Sequence, residues 1–169
     1  HKEFVPQKYK GHITTYNNIK DIPFTADGTW MMLGRTNDIV DELRLKAREM
    51  GLFFQDSKGR KSFDLNKWNA IQAWSALMRG EKIMKDKVSI IYTYINEIGF
   101  GFRSIESKRW YNIADNSEMD YDFLTVWGGL GAKKEHWTNV FNRNFSEKEK
   151  FYFEKLIESG IDIVKNSEM

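Results

Sequence analysis

A short apolar run, a polar turn and a helical pattern, in that order, constrain the fold of this chain more than any other feature. The run covers residues 29–34, the turn covers residues 35–37, and apolar side chains then recur at helical spacing up to Gly51. A second short run, residues 52–55, follows the glycine. This order predicts one strand-helix-strand step of a parallel sheet, with the turn at the carboxyl end of the first strand, where open α/β sheets bind ligands.

The hydrophobic pattern changes after the polar loop at residues 56–61, which is the best candidate for a domain boundary. Beyond this loop, apolar residues form stripes at helical spacing, and Ser146 and Glu149 have the spacing of a capping box at the start of one helix. The predicted fold is therefore an α/β fragment followed by a mainly α part. We predict a helix or a long apolar segment at 85–98, and helices at 64–79, 104–113, 119–127, 134–141 and 147–157.

The composition of the 169-residue chain excludes several kinds of site. It contains no cysteine, so it offers no disulfide, no thiolate zinc site and no cysteine nucleophile. His12 and His136 have no partners at metal-ligand spacing, and we predict no metal site. A net charge of +2 means that any contact with DNA has to come from local placement of charge. No apolar run approaches the roughly 20 residues that span a bilayer, which predicts a soluble, cytoplasmic protein without a membrane partner.

Residues 29–54 resemble a segment of the UvrD/Rep-like superfamily 1 DNA helicases. An apolar strand, the tripeptide Arg35-Thr36-Asn37, a helix and a Gly-apolar-Phe run follow one another as in the second RecA-like motor domain of that family, called 2A. Residues 2–24 are similar to the segment that precedes this strand in the same motor domain. The helical pattern that contains Trp68 and ends in Arg79-Gly80-Glu81 is similar to the start of the mobile insertion called 2B.

The resemblance implies a fragment of an ATP-dependent DNA helicase, with a partial RecA-like β-α-β unit at 1–55, a helical insertion domain at 56–160 and a return segment toward the motor domain at 161–169. The implied partners are single-stranded DNA, duplex DNA at the insertion, and the first motor domain of the parent chain. ATP and Mg²⁺ are implied as cofactors of the parent. The fragment itself is expected to bind no cofactor and to catalyse no reaction, because it has no Gly-x-x-x-x-Gly-Lys-Ser/Thr segment and no Asp-Glu pair after an apolar strand.

The strongest candidate for a binding site is the turn formed by Arg35, Thr36 and Asn37. A cation beside the donors of a helix amino terminus suits a phosphate group, and the resemblance implies that this turn contacts single-stranded DNA. In the alternative interpretation the turn is structural: Asn37 or Asp38 caps the helix, and Arg35 forms an ion pair with Asp38 or Asp41.

Two basic clusters are further candidates for DNA binding. Lys58, Arg60 and Lys61 form the densest basic cluster, which suits either contacts with phosphates or a solvated loop. Lys133 and Lys134 follow a glycine-rich turn at 128–131 and restart a helix in our prediction. That arrangement suits either binding of a duplex backbone through backbone amides or a turn that only connects two helices.

A different class of function also fits the composition. Aromatic residues make up 15% of the chain, which is compatible with a standalone helical module that binds another protein through an aromatic-rich groove and has no role with nucleic acids. The sequence leaves this alternative open beside the helicase fragment.

Overall fold

A computed structural model of the chain describes residues 14–18, 21–22, 31–95, 114 and 116–160. These residues form six helices and one small sheet, so the mainly α character predicted for the larger part of the chain is confirmed. In chain order the elements are α1 (Asn37–Glu49), α2 (Leu65–Met78), β1 (Ile83–Met84), α3 (Lys85–Tyr94), β2 (Glu118–Met119), α4 (Tyr121–Trp127), α5 (Trp137–Val140) and α6 (Glu147–Glu158).

The chain divides into two compact units, residues 1–46 and residues 47–169. The division falls inside α1, so the last residues of this helix belong to the second unit. The domain limits implied by the resemblance, at 1–55, 56–160 and 161–169, concern a family assignment and stay predictions. Residues 161–169 lie outside the described residues.

In the first unit, the predicted helix after the polar turn is confirmed as α1. The predicted strand at 29–34 is not formed by residues 31–34, which adopt no regular secondary structure, and residues 29–30 lie outside the described residues. Met31 and Leu33 are 85% and 84% exposed. A strand needs a neighbour to bond its backbone, and none of the described residues supplies one here.

The second predicted strand, at 52–55, also differs from the structure. Residues 52–54 form no strand, and Gln55 makes a single antiparallel bridge with Lys61 across the turn between them. The segment therefore folds back locally on its own chain instead of joining a parallel neighbour. The RecA-like nature of residues 1–55 stays a prediction.

The second unit is built around α2, which the sequence placed at 64–79. Asp64 accepts a hydrogen bond from the backbone N–H of Asn66 at 2.8 Å and caps the helix, and Gly80 follows its end with a φ of +81°. A helix that is apolar on most sides is buried on most sides. Six of its 14 residues are buried, namely Trp68, Ala70, Ile71, Ala73, Trp74 and Leu77.

Aromatic side chains fill the core beside α2. The rings of Trp68 and Phe153 stack with centroids 6.1 Å apart, and the ring of Phe145 lies 5.6 Å from those of Trp137 and Phe153. Such pairs add to the stabilisation that comes from burying large rings. The core thus joins α2, α5 and α6, which are distant in sequence.

The sequence did not predict the small sheet. Strands β1 and β2 pair antiparallel, with Ile83 opposite Met119 and Met84 opposite Glu118. Asp120 follows β2 and caps α4 by accepting from the N–H of Phe123 at 2.8 Å. The predicted helix at 119–127 is therefore shorter at its start, and the prediction at 104–113 lies outside the described residues.

The other helices agree with their predictions to different extents. Helix α3 covers residues 85–94 of the predicted 85–98, and residues 96–98 lie outside the described residues. The capping box of Ser146 and Glu149 is confirmed at the start of α6. The prediction at 134–141 is wrong at both ends, because α5 covers only Trp137–Val140. Residues 134–136 are not helical, and the carbonyl of Glu135 accepts a hydrogen bond from the indole N–H of Trp74 at 2.9 Å. Among the helices of the described residues, none is long and apolar enough to cross a membrane.

Candidate nucleic-acid interface

The turn at 35–37 forms the start of a 13-residue helix. Thr36, rather than Asn37 or Asp38, occupies the capping position, because its Oγ1 accepts a hydrogen bond from the N–H of Ile39 at 3.5 Å. Its carbonyl accepts from the N–H of Val40 at 3.2 Å. The side chains of Arg35, Thr36 and Asn37 are all exposed, so the polar groups of the turn face solvent.

The ion pair that would make Arg35 structural is not formed. Asp41 is bonded instead by Arg44, whose Nη1 lies 2.9 Å from Asp41 Oδ1. Across the described ranges, Arg35 has no acidic partner and no other polar contact. The guanidinium at the helix start is therefore available to an anion.

The loop at 56–61 is organised by the carboxylate of Asp56. Asp56 Oδ1 accepts from the backbone N–H groups of Lys58 at 2.8 Å and Arg60 at 2.9 Å, and Oδ2 accepts from Arg60 Nε at 2.6 Å. Gly59 has a φ of +74°, which lets the chain turn tightly. The hydrogen bonds from the backbone and side chain of Arg60 and from the backbone of Lys58 outweigh desolvation and lower the pKa of Asp56 to about 2.

This arrangement changes the roles of the three basic residues in the loop. The guanidinium of Arg60 already binds Asp56, and Lys61 lies opposite Gln55 in the antiparallel bridge and is half-buried. Lys58 is exposed and has no acidic partner among the residues that the structure describes. The loop presents less positive charge than its sequence indicates, because Asp56 neutralises one cation.

Lys133 and Lys134 lie in the segment between α4 and α5 and not on a helix. The Nζ of Lys134 is 3.9 Å from Asp122 Oδ1 and 4.6 Å from the ring centroid of Tyr121. The hydroxyl of Tyr121 donates to the carbonyl of Ala132 at 2.7 Å and holds this segment against α4. Lys133 is exposed. Lys133 and Lys134 lie between α4 and α5, whereas the loop at 56–61 lies between α1 and α2, so the two basic clusters are on different loops.

Two acids, each of which pairs with one cation of a basic cluster, were not predicted from the sequence. Asp56 could have been found, because Asp-Ser-Lys-Gly is typical of a turn in which the aspartate side chain bonds the backbone two residues later. The pairing of Lys134 with Asp122 depends on how the segment between α4 and α5 packs, and no local signal predicts it. A buried polar joint between Ser62 and Tyr152 was also missed, since these residues are 90 positions apart.

The described residues contain no group of three or more His, Asp or Glu side chains arranged to hold a metal ion. The sequence contains no Gly-x-x-x-x-Gly-Lys-Ser/Thr segment. Comparison of the chain with protein-family models, with curated proteins and with solved structures finds no match.

Proposed function

We propose that this chain is a segment of a UvrD/Rep-like, ATP-dependent DNA helicase of the cytoplasm, in which Arg35, Thr36 and Asn37 contact single-stranded DNA. The observation that carries this proposal is the exposed and unpaired guanidinium of Arg35 at the open amino terminus of α1. The resemblance of residues 29–54 to the second motor domain of these helicases supports the same assignment.

The chemistry of the turn suits a phosphate group. The backbone N–H groups of Asn37 and Asp38 have no acceptor among the described residues, and the partial positive charge of a helix amino terminus favours an anion. The Arg35 guanidinium, the Thr36 hydroxyl and the Asn37 amide add further donors. Asp38 opposes an approaching phosphate, which limits the affinity that this turn provides alone.

In the parent helicase, closure of the two motor domains around ATP and Mg²⁺ would let the turn hold and release the tracking strand. The insertion would contact duplex DNA. This chain supplies the DNA contact and the insertion, and the first motor domain would supply the phosphate loop. The gene is expected to encode a Gly-x-x-x-x-Gly-Lys-Ser/Thr segment upstream of residue 1, and a gene without one contradicts the proposal.

The DNA contact is tested by fluorescence anisotropy with a labelled oligothymidine at low and at physiological salt. We expect weak binding that falls as salt rises, because each neutralised phosphate releases counterions. Arg35→Ala should weaken binding by about threefold or more at low salt. Lys148→Ala is the matched control, since Lys148 is an exposed cation on α6.

A second control separates the turn from the loop at 56–61. Arg60→Ala should have little effect, because Asp56 already neutralises the Arg60 guanidinium. Equal losses for Arg35→Ala, Arg60→Ala and Lys148→Ala would mean that binding depends on total charge and that the turn is structural.

One observation favours the alternative of a protein-interaction module. Val126 and Trp127, consecutive residues at the end of α4, are 70% and 54% exposed, and exposed apolar patches mark sites of contact with other proteins. The same titration separates the two functions. A wild-type chain that binds no oligothymidine at low salt overturns the DNA contact and leaves this alternative.

A further inference from the structure

The backbone of residues 31–34 is unpaired. Within the part of the chain that the structure describes, none of its N–H or C=O groups takes part in a hydrogen bond. Exposure alternates along the segment, since Met31 and Leu33 are 85% and 84% exposed, whereas Met32 and Gly34 are half-buried. Alternation with a period of two is typical of an extended chain that has one face in solvent. The segment therefore presents both the backbone and the apolar face of an unpaired strand.

Gly34 lies close against the start of α1. A Cβ at Gly34 would be 2.7 Å from Val40 Cγ2 and 3.2 Å from Ile39 Cγ2, so a side chain at this position would collide with the helix. The close approach directs one face of the segment toward α1. Successive side chains of an extended chain point to opposite faces, so Met31 and Leu33 point away from α1, which agrees with their exposure. Their face is open to another chain.

The segment is complementary to a second copy of itself. The apolar run before Arg35 carries no charge, so two copies can approach without repulsion between them. In an antiparallel pair with Met32 on the twofold axis, Met31 of each copy lies opposite Leu33 of the other, and all four side chains share one face. The two copies of Arg35 then lie on opposite sides of the axis, about 20 Å apart along the pair, so like charges do not face each other.

We propose that residues 31–34 are the contact through which two copies of this chain form an antiparallel strand pair. Pairing gives the unpaired backbone groups their partners and removes Met31 and Leu33 from water in both copies. The segment is short, and stable interfaces bury at least about 1,000 Å², so the dimer is weak and forms at high protein concentration. The inference goes beyond the proposed function, because it uses the exposure and bonding of this segment and no contact with DNA.

Analytical ultracentrifugation tests the association. We expect the average mass of the wild-type chain to rise with protein concentration from one chain toward two. Leu33→Lys should lower the association constant by about tenfold, because it removes two symmetric cross-strand pairs at once. Leu45→Lys is the matched control and should leave association unchanged, because Leu45 is also exposed, at 59%, and lies on α1 outside the segment.

Three outcomes of this experiment overturn the proposal. The wild-type chain stays monomeric at every concentration, or Leu45→Lys weakens association as much as Leu33→Lys does. The third is growth of the mass beyond two chains, because a twofold strand pair is closed. Circular dichroism of both variants checks that they fold, which we expect because both side chains are exposed.

Cross-linking tests the register of the pair. Met32→Cys places a thiol on the twofold axis, and the chain contains no other cysteine, so mild oxidation should link two copies. Leu33→Cys is the control and should link the copies several-fold less, because its two Cα atoms are about 8 Å apart, beyond the span of a disulfide. Equal cross-linking at the two positions would show that the copies meet in another way and overturns the strand pair.

Charge pairing gives a second test of the same register. Met31→Glu combined with Leu33→Lys should recover the association that Leu33→Lys loses, because each introduced carboxylate then lies opposite the introduced ammonium group of the other copy. Recovery should disappear at high salt, which screens exposed charges. A double variant that associates no better than Leu33→Lys overturns the proposed pairing of these two positions.

Discussion

At Asp56 a single carboxylate decides both the shape and the charge of a loop. It accepts hydrogen bonds from two backbone N–H groups and from the Arg60 guanidinium, while its own side chain is 8% exposed. Three basic residues within four positions therefore do not make a strongly positive surface. Arg35 has the opposite situation, because neither Asp38 nor Asp41 forms an ion pair with it, and Asp41 is bonded to Arg44.

The low pKa of Asp56 makes the order of this loop depend on pH. Because the pKa is lowered from 3.8 to about 2 in the folded chain, Asp56 stabilises the loop above pH 3.8, and this contribution is lost as pH falls through about 2. We expect the side-chain carboxyl carbon of Asp56 to titrate near pH 2 in an NMR experiment. Asp56→Asn should speed amide exchange at Lys58 and Arg60 at neutral pH. A titration near pH 4 would contradict the observed geometry.

Gly51 and Gly59 share a left-handed backbone but differ in their surroundings. Gly51 packs on the carbonyl of Lys155, whereas a Cβ at Gly59 would meet nothing within 4 Å. We expect Gly59→Ala to cost about 1 kcal/mol from backbone strain, and Gly51→Ala to cost about 2 kcal/mol or more because α6 also has to move. Urea unfolding measures both free energies. Equal costs would show that the contact with Lys155 is not tight in solution.

At the scale of an element, α6 is stabilised by a cap in its own first turn and by an ion pair with a residue that is distant in sequence. Ser146 and Glu149 form the capping box, and Glu149 also accepts from Lys67 of α2 at 2.6 Å. Desolvation would raise the pKa of Glu149, but the ion pair with Lys67 and the bonds from Ser146 outweigh it and lower the pKa. The same carboxylate therefore starts the helix and attaches it to the core.

Removal of the cap should destabilise the second unit. We expect Ser146→Ala to lower the free energy of unfolding by about 1 kcal/mol, because one N–H of the first turn loses its acceptor. The matched control is Ser89→Ala, an exposed position within α3, which should change stability by no more than about 0.5 kcal/mol. Thermal unfolding of both variants gives the comparison. Equal effects would show that the capping box adds nothing to the folded chain.

At the scale of the whole molecule, the described residues of the two compact units differ in how many large apolar side chains they bury. In the described residues of the first unit, Leu43 is the one large apolar side chain that is fully buried. The exposed large hydrophobic side chains in the same residues are Tyr16, Met31, Leu33, Ile39 and Leu45. In the second unit, α2 alone buries Trp68, Ile71, Trp74 and Leu77.

This difference predicts the order in which the chain opens. Amides of residues 37–46 should exchange faster than those of α2, because local opening there exposes little apolar surface. Hydrogen exchange followed by mass spectrometry gives both rates in one experiment, without any substitution. Slower exchange in residues 37–46 than in α2 would contradict our account of the first unit and weaken the proposal that it is a partial domain.

The sequence by itself determined the elements whose signals are local. The acidic cap and the glycine around α2 and the capping box of α6 lie within a few residues of the backbone groups that they satisfy, and an α-helix bonds only within itself. Strands are different, because each needs a partner from elsewhere. The pattern at 29–34 predicts a strand, yet residues 31–34 have no partner strand among the described residues. Strands β1 and β2 do pair, although no sequence pattern predicts them.

Tertiary structure alone decided which charged groups of the candidate sites are paired. The sequence predicts a candidate site at the turn of residues 35–37. The capping of α1 by Thr36 and the lack of an acidic partner for Arg35 depend on side-chain geometry. The pairing of Lys134 with Asp122 and the bond between Ser62 and Tyr152 connect residues far apart in the chain. Packing of the core brings these groups together, and hydrophobic periodicity specifies which face of a helix is buried but not which polar groups meet there.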